Sequence, residues 1–367
     1  MARSPANRIG SARAAGCETE DLIRTNLRRA GSTARDSAPD RTRRLGRAAT
    51  SILATLGVTL LACSSVPAAT PFAMPDAQPP IGAFLSSDES GTEAVAGFAS
   101  WLGGPEVTVG HTYLPPNSWA DVRGPEFILR PWAEWRADDP GRMLVLNVPM
   151  LVPNEVDASD DQVAALLHRA ASGEFNENFR VLAERLIALG AADAIVVPGW
   201  EMNGTTYTHR CAPDPDAWKQ HFRGVVAAMR SVPGQQFRFD FTPSRGPEDI
   251  GWTECYPGDD VVDIIGMDTY DQAPGDEFSD YVEQPYGLQD QVDFAAARGK
   301  PISFAEWGLF RYGDRPEFIR GMFEWITSHN VVYHTISDYC PHGVWRCEDN
   351  PKSSAVFRDL FGSVPLR

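Results

Sequence analysis

Two glutamates, Glu201 and Glu306, could carry out acid–base and nucleophilic chemistry together. Each one closes a short apolar segment: Glu201 lies in the run Pro-Gly-Trp-Glu-Met-Asn-Gly and Glu306 in the run Ala-Glu-Trp-Gly. A protonated carboxyl group can give its proton to a leaving oxygen, and an ionised one can attack an anomeric carbon. Hydrolysis of a glycosidic bond with retention needs such a pair about 5 to 5.5 Å apart. The two glutamates therefore predict a retaining glycosidase.

The segments that must position these residues alternate between short apolar strands and amphipathic helices. Helical stretches fall at 162–189 (with a break near Gly173), 216–231, 287–298 and 315–329. The eight predicted strands are 81–87, 107–113, 143–149, 194–198, 237–242, 262–267, 302–305 and 332–337. Near-continuous apolar strands separated by helices indicate a parallel sheet buried on both faces, and eight such units favour a closed (β/α)8 TIM barrel in the α/β class. A doubly wound open sheet is the alternative, although neither GxGxxG nor a Walker-type loop is present.

A barrel gives these carboxylates a common location, because its active site lies at the carboxyl ends of the strands. Glu201 then follows the fourth strand and Glu306 the seventh, so they face each other across the mouth. The sixth strand runs into Gly-Met-Asp-Thr-Tyr-Asp, which places Tyr270 beside the seventh. Its phenol could donate a hydrogen bond to Glu306 and keep that carboxyl group ionised.

This arrangement resembles clan A of the glycoside hydrolases, and within it family 26, the β-mannanase family. That family carries a His-Glu-Met-Asn-Gly type motif after the fourth strand and a Glu-aromatic-Gly motif after the seventh. The resemblance covers residues 81–361 in layout but only short motifs in sequence. It implies that Glu201 is the acid/base, that Glu306 is the nucleophile and that Tyr270 is the nucleophile's partner.

The resemblance also implies a set of residues that contact substrate in the subsite holding the sugar whose glycosidic bond is cleaved. His111 ends the second strand, and the pair Trp345-Arg346 follows the eighth. The remaining predicted contacts lie within the motifs themselves and are Trp200, Asn203, Asp268 and Trp307. Trp200 departs from the family, which usually has His before the acid/base, and this departure weakens any transfer of mannan specificity.

Several tryptophans fall at or beyond predicted strand ends, where a sugar ring could stack on the indole face. They are Trp119, Trp132, Trp135, Trp252, Trp307 and Trp345. Core packing is the competing interpretation for each of them. Trp307 and Trp345 are preferred as sugar platforms, because they flank the nucleophile and the last loop.

Hydrolysis of a β-linked polysaccharide, endo-acting and mannanase-like, is the predicted function, with no cofactor and no metal. Two other functions fit the same residues. The barrel could bind a polysaccharide without cleaving it, although both glutamates are present. Alternatively, the glycosyl group could pass to another sugar, which would make the protein a transglycosylase.

The amino-terminal region predicts export. Residues 41–62 combine a basic segment with an apolar stretch of about a dozen residues, which is too short for a transmembrane helix. The stretch ends in Leu-Leu-Ala-Cys, resembling a bacterial lipobox with Cys63 as the lipidated residue, whereas cleavage after Ala68 would release a secreted protein. The predicted organisation is a leader over 1–63, a Pro/Ala/Ser-rich tether over 64–80 and a catalytic domain over 81–367.

Export gives the remaining cysteines a specific meaning, because disulfides persist outside the cytoplasm. Four cysteines lie in the predicted domain, and three pairings are possible in principle. Cys340 and Cys347 enclose a short loop, while Cys211 and Cys255 fall in successive loops of the barrel. We therefore predict the pairs 211–255 and 340–347. Zinc binding is the alternative, but no cysteine pair has the close spacing typical of zinc sites.

The charge distribution restricts the possible partners. The first 63 residues contain 11 arginines and 5 acidic residues, whereas the remaining 304 contain 22 basic and 44 acidic residues, which is a net charge of −22. Such an acidic body repels phosphate backbones, so nucleic acid is excluded as a partner. The expected partner is a polysaccharide or oligosaccharide, the expected membrane contact is only the lipid anchor, and the expected state is a monomer.

Overall fold

A closed barrel of parallel strands forms the centre of the computed structural model, which describes residues 78–103 and 106–363 of the chain. The predicted leader, Cys63 and nearly all of the predicted tether lie outside the described residues. The strands are β1 (Ile81–Phe84), β2 (Val109–Tyr113), β3 (Met143–Val148), β4 (Ile195–Pro198), β5 (Arg238–Phe241), β6 (Ile264–Gly266), β7 (Thr269–Tyr270), β8 (Ile302–Gly308) and β9 (Val331–Ser337).

Each strand pairs in parallel with its neighbours, from β1 through to β6. Both β6 and the short β7 pair with β8, so together they occupy the sixth position of an eight-position barrel. The pairing of β1 with β9 closes the ring over four residue pairs. This closure confirms the predicted (β/α)8 fold and rules out the open sheet.

Helices surround the barrel between its strands. They are α1 (Glu89–Leu102), α2 (Trp119–Val122), α3 (Glu126–Ala137), α4 (Asp160–Ala171), α5 (Asn176–Ala188), α6 (Pro215–Arg230), α7 (Phe278–Glu283), α8 (Leu288–Ala296), α9 (Pro316–Ser328) and α10 (Pro351–Gly362). The predicted break near Gly173 separates α4 from α5, because Gly173 adopts a left-handed backbone with φ of +87°. Among the described residues, no helix combines the length and apolarity that crossing a membrane requires.

Apolar side chains fill both faces of the strands, which explains why the strands are nearly continuous in hydrophobicity. The interior of the barrel holds a compact cluster. Its buried members are Val109, Val145, Ile195, Val197, Trp200, Ile264, Ala305 and Tyr333. A larger core lies between the strands and the helices. The barrel is thus a packed scaffold whose carboxyl ends hold the polar residues.

Two disulfides cross-link the loops at that end of the barrel. Cys211 pairs with Cys255, joining the loop after β4 to the 3-10 helix Trp252–Cys255 that follows β5. Cys340 pairs with Cys347 within the loop after β9. Both predicted pairings are confirmed.

Candidate active site

Glu306 is held by hydrogen bonds from two other strands of the barrel, β7 and β3. The Tyr270 hydroxyl donates to its Oε2 at 2.8 Å, and the Asn147 amide nitrogen donates to its Oε1 at 3.1 Å. The Ser337 hydroxyl lies 2.7 Å from the Tyr270 oxygen, and it must donate because the phenol proton already points at Glu306. Glu306 as a whole is 8% exposed. The predicted contact between Tyr270 and Glu306 is present.

Burial raises the pKa of Glu306 above its ordinary value, and three neighbouring donors limit that rise. The phenols of Tyr113 and Tyr270 and the amide of Asn147 all lower the pKa of Glu306, because each stabilises the ionised form. An ionised carboxylate surrounded by donors is suited to nucleophilic attack.

Glu201 is placed by an unusual backbone. It has a left-handed φ of 51°, and its amide nitrogen donates to the Thr242 carbonyl at 2.8 Å. A non-glycine residue in this region is strained, and such strain is concentrated at functional sites. Nearby, Gly199 also has a positive φ, of 62°, and a Cβ there would lie about 3.1 Å from Met150. The turn after β4 therefore depends on this glycine to present Glu201.

Burial and the charge of Glu306 raise the pKa of Glu201 to about 8. The carboxyl group of Glu201 thus stays protonated at neutral pH. The effect of the Glu306 charge on the pKa of Glu201 shows that the two groups lie within electrostatic reach. One carboxyl group kept neutral and one held by donors is the division of labour that acid-assisted nucleophilic displacement needs.

Four predicted sugar contacts are instead buried supports of the site. His111 is fully buried, with Nε2 3.1 Å from the Asn147 Oδ1 atom. Asn203 is also fully buried, and its amide exchanges two hydrogen bonds of 2.9 Å with the Ser244 backbone. Asp268 lies beneath Glu306 and accepts from its backbone nitrogen at 3.0 Å. None of these three side chains is accessible in this structure, so each lies behind the site surface rather than lining it.

Trp200 is the fourth predicted sugar contact that is buried, with only 3% of its surface exposed. Its ring packs edge to face with Tyr113 at 5.6 Å and with Tyr207 at 5.1 Å between centroids. Both tyrosines are partly accessible, and Tyr207 lowers the pKa of Glu201 as Tyr113 lowers that of Glu306. Trp200 thus supports the two phenols that face the glutamates, rather than forming the sugar-binding surface itself.

The preferred tryptophan platforms also lie elsewhere. Trp307 is fully buried between β8 and the helices, where its Nε1 donates to His334 at 3.3 Å, because a register shift in β8 turns the side chain outward. It cannot stack on a sugar. Trp345 packs against Phe98 of α1 with centroids 5.9 Å apart, and the exposed Arg346 guanidinium lies 4.9 Å above its ring. The structure therefore assigns Trp345 to packing on α1. Trp132 and Trp252 are fully buried as well.

Tyr339, which sequence reasoning missed, occupies the position expected of a platform. It follows β9 by two residues and is 46% exposed. Burial and the charges of Glu306 and Glu201 raise its pKa, so its phenol lies near both carboxyl groups. Its ring packs edge to face with Phe84, which in turn contacts Tyr113.

Asn147, Tyr113 and Tyr207 were also missed. An asparagine inside the otherwise apolar third strand and a tyrosine at the end of the second were available signals. No comparable signal marked Tyr207, which lies in the loop after β4.

Comparison with known proteins points to one enzyme family. Residues 153–304 match the sequence profile of glycosyl hydrolase family 26, a span that includes Glu201 and Tyr270 and ends two residues before Glu306. The chain resembles glycoside hydrolase family 26. A mannan endo-1,4-beta-mannosidase of Bifidobacterium adolescentis is 27% identical over 205 residues, which are 49% of this chain and 19% of that protein. The chain thus spans about a fifth of the length of this curated relative.

Solved structures share the fold. A Bacillus subtilis mannanase superposes with a TM-score of 0.57 at 18% identity, covering 78% of this chain and 86% of that one. A GH26 beta-mannanase from Bacteroides ovatus gives a TM-score of 0.51 at 18% identity, covering 72% and 80%. At this identity the likeness establishes the barrel architecture, and the chemistry must be argued from the residues.

Proposed function

We propose that this protein is a retaining glycoside hydrolase that cleaves a β-linked polysaccharide by an endo-acting, mannanase-like double displacement. The observation that carries the proposal is the contrast between the two glutamates. Glu306 receives hydrogen bonds from Tyr270 and Asn147, whereas the pKa of Glu201 is raised to about 8. The likeness to family 26 and to mannanases supports the same function.

In the first step, the Glu306 carboxylate attacks the anomeric carbon while Glu201 gives its proton to the leaving oxygen. The bond between that carbon and oxygen breaks, and a glycosyl-enzyme ester forms. Glu201, now ionised, then takes a proton from water, which attacks the same carbon and releases Glu306. The configuration of the sugar is retained because it inverts twice.

The substrate class follows from the surfaces around the carboxyl groups. Exposed Tyr339 offers a stacking face, and the partly accessible Tyr113 and Tyr207 offer phenols. These surfaces suit a neutral sugar chain, and the acidic body disfavours polyanionic glycans. For the whole protein we propose export, either as a lipoprotein anchored at Cys63 or as a secreted monomer.

The decisive experiment combines substrate screening with rescue of two variants. Purified protein is incubated with mannans, xylans, mixed-linkage glucans and cell-wall glycans, and the products are identified. Glu306→Ala should abolish turnover, because no other group can form the ester. Glu201→Ala should spare the first step for dinitrophenyl glycosides, and azide should restore its turnover with retained configuration.

Azide responses that are the same in both variants would contradict the assignment of roles. Binding of a glycan without any product would instead support a non-catalytic barrel.

A further inference from the structure

Behind Glu306, three buried side chains from different strands form a continuous line of hydrogen bonds. Asn147 of β3 contacts the carboxylate, and His111 of β2 contacts Asn147 with 3.1 Å between Nε2 and Oδ1. Thr335 of β9 then contacts His111, with 2.9 Å between its hydroxyl oxygen and Nδ1. All three are 0% exposed, so no solvent can exchange for any of these partners.

The direction of each hydrogen bond follows from the carboxylate. An ionised Glu306 can only accept, so the Asn147 amide must point its NH2 group at it. The Asn147 oxygen then faces His111 Nε2, which must carry a proton. Burial lowers the pKa of His111 to about 4, so the ring is neutral and Nδ1 carries no proton. The Thr335 hydroxyl also donates to the Ala305 carbonyl, so it must share its one proton between that carbonyl and Nδ1 in a three-centre hydrogen bond.

We propose that His111 is a positioning residue that fixes the amide orientation of Asn147 by donating from Nε2. The inference rests on the proposed role of Glu306 and assigns His111 no contact with substrate. Oxygen and nitrogen of an asparagine amide are nearly equal in size, so packing alone cannot choose between two orientations. The reversed amide would aim its oxygen at Glu306 and repel the ionised form. His111 thereby keeps the nucleophile ionised from two residues away.

Other groups also face Glu306, and they set the background against which this effect is measured. The phenols of Tyr113 and Tyr270 act on it from β2 and β7, and the carboxyl groups of Glu201 and Asp268 lie close enough to interact with its charge. The Tyr339 phenol lies on the last loop. None of these groups is altered in the variants below.

The first test compares two substitutions of His111 by the pH profile of kcat/KM. His111→Phe removes the donor, so the acid limb should move to higher pH, and kcat should fall about tenfold to a hundredfold, as expected for one hydrogen bond to a charged group. His111→Gln supplies an amide NH2 in place of Nε2–H and should restore most of the rate and the position of the limb. Equal losses in the two variants, or an unmoved limb in His111→Phe, would overturn the proposal.

Two further variants separate positioning from packing. His334 is another fully buried histidine on β9, but its ring contacts Trp307 on the outer side of the barrel. His334→Phe should lower thermal stability and leave the acid limb in place. Asn147→Leu should move the acid limb to higher pH as His111→Phe does. The double variant should show little further shift, because both substitutions remove the same donor to Glu306, the Asn147 amide NH2. Additive shifts would show that the two residues act separately and would refute the relay.

A spectroscopic measurement on the unaltered protein can show which ring nitrogen of His111 carries the proton, and it needs no assay of enzymatic activity. The ring nitrogens of His111, assigned by comparison with His111→Gln, should show a neutral ring protonated at Nε2 above about pH 5 in 15N NMR. A ring protonated at Nδ1, or at both nitrogens, would overturn the inference. If no glycan were cleaved, the proposed function would fail while this measurement would still report the relay.

Discussion

The two glutamates share one barrel mouth but differ in what surrounds their carboxyl groups. Glu306 faces the donors Tyr270, Asn147 and Tyr113. Glu201 is partly buried, and the charges of Glu306 and Glu248 both raise its pKa. Donors thus favour the ionised form of Glu306, whereas burial beside neighbouring charges favours the protonated form of Glu201.

This asymmetry predicts the basic limb of the pH profile. Because Glu201 must be protonated to act as an acid, kcat/KM should fall as pH rises through about 8. Glu201→Gln should abolish the limb for substrates that need no acid. Glu248→Gln is a matched control, since loss of its charge should move the limb to lower pH without removing it. If the basic limb stays in place in Glu201→Gln, it reports the titration of another group.

Trp200 is the residue at which this chain departs from the mannanase motif, and its buried position changes the way it can act. The indole packs against Tyr113 and Tyr207, whose phenols face the two glutamates. A smaller ring would leave a cavity and allow both phenols to shift.

We therefore expect weak activity on plain β-1,4-mannan and better activity on another glycan, with Trp200→His moving the preference toward mannan. The ratio of kcat/KM values on two glycans measures this shift, and Trp200→Phe controls for the lost volume. Thermal unfolding should show a stability loss of about 2 to 4 kcal/mol in either variant. Strong mannanase activity in the unaltered protein, unchanged in Trp200→His, would contradict the expectation.

At the scale of elements, the loops after β4 and β5 behave as one unit. The Asn203 amide pairs with the Ser244 backbone, and the Cys211–Cys255 disulfide joins the same two loops. Glu201 lies within the first loop, so these cross-links hold it in its strained backbone conformation.

The two disulfides should differ in their contribution to stability. The first spans 44 residues and the second spans 7. The loop-entropy relation gives about 4 kcal/mol for the first and about 2.5 kcal/mol for the second. Replacing Cys211 and Cys255 by Ser should therefore cost more, and it should also lower kcat. Chemical denaturation of the two double variants measures the difference, and an equal or reversed order would refute it.

For the whole molecule, closure of the barrel makes β1 and β9 mutually dependent. Their pairing joins residues near the two ends of the described chain, so no part of the ring can be removed without opening it. A chain shortened to residues 78–367 keeps every strand. It should unfold in one cooperative transition, at the same temperature as the full chain, with unchanged kcat. A lower melting temperature or a second transition would show that residues before 78 contribute to the folded domain.

Sequence by itself determined the barrel, because buried strands and helices each leave a local hydrophobic pattern. It also predicted that Glu201, Glu306 and Tyr270 meet at the barrel mouth and that the cysteines pair as observed, since strand ends in a barrel converge whatever the details of packing. Tertiary structure alone decided which nearby polar and aromatic residues are accessible. A one-residue register shift turned Trp307 outward, and burial converted His111 and Asp268 from expected sugar contacts into supports. The face of a strand on which a side chain lies depends on register and long-range packing, and a short sequence motif specifies neither of them.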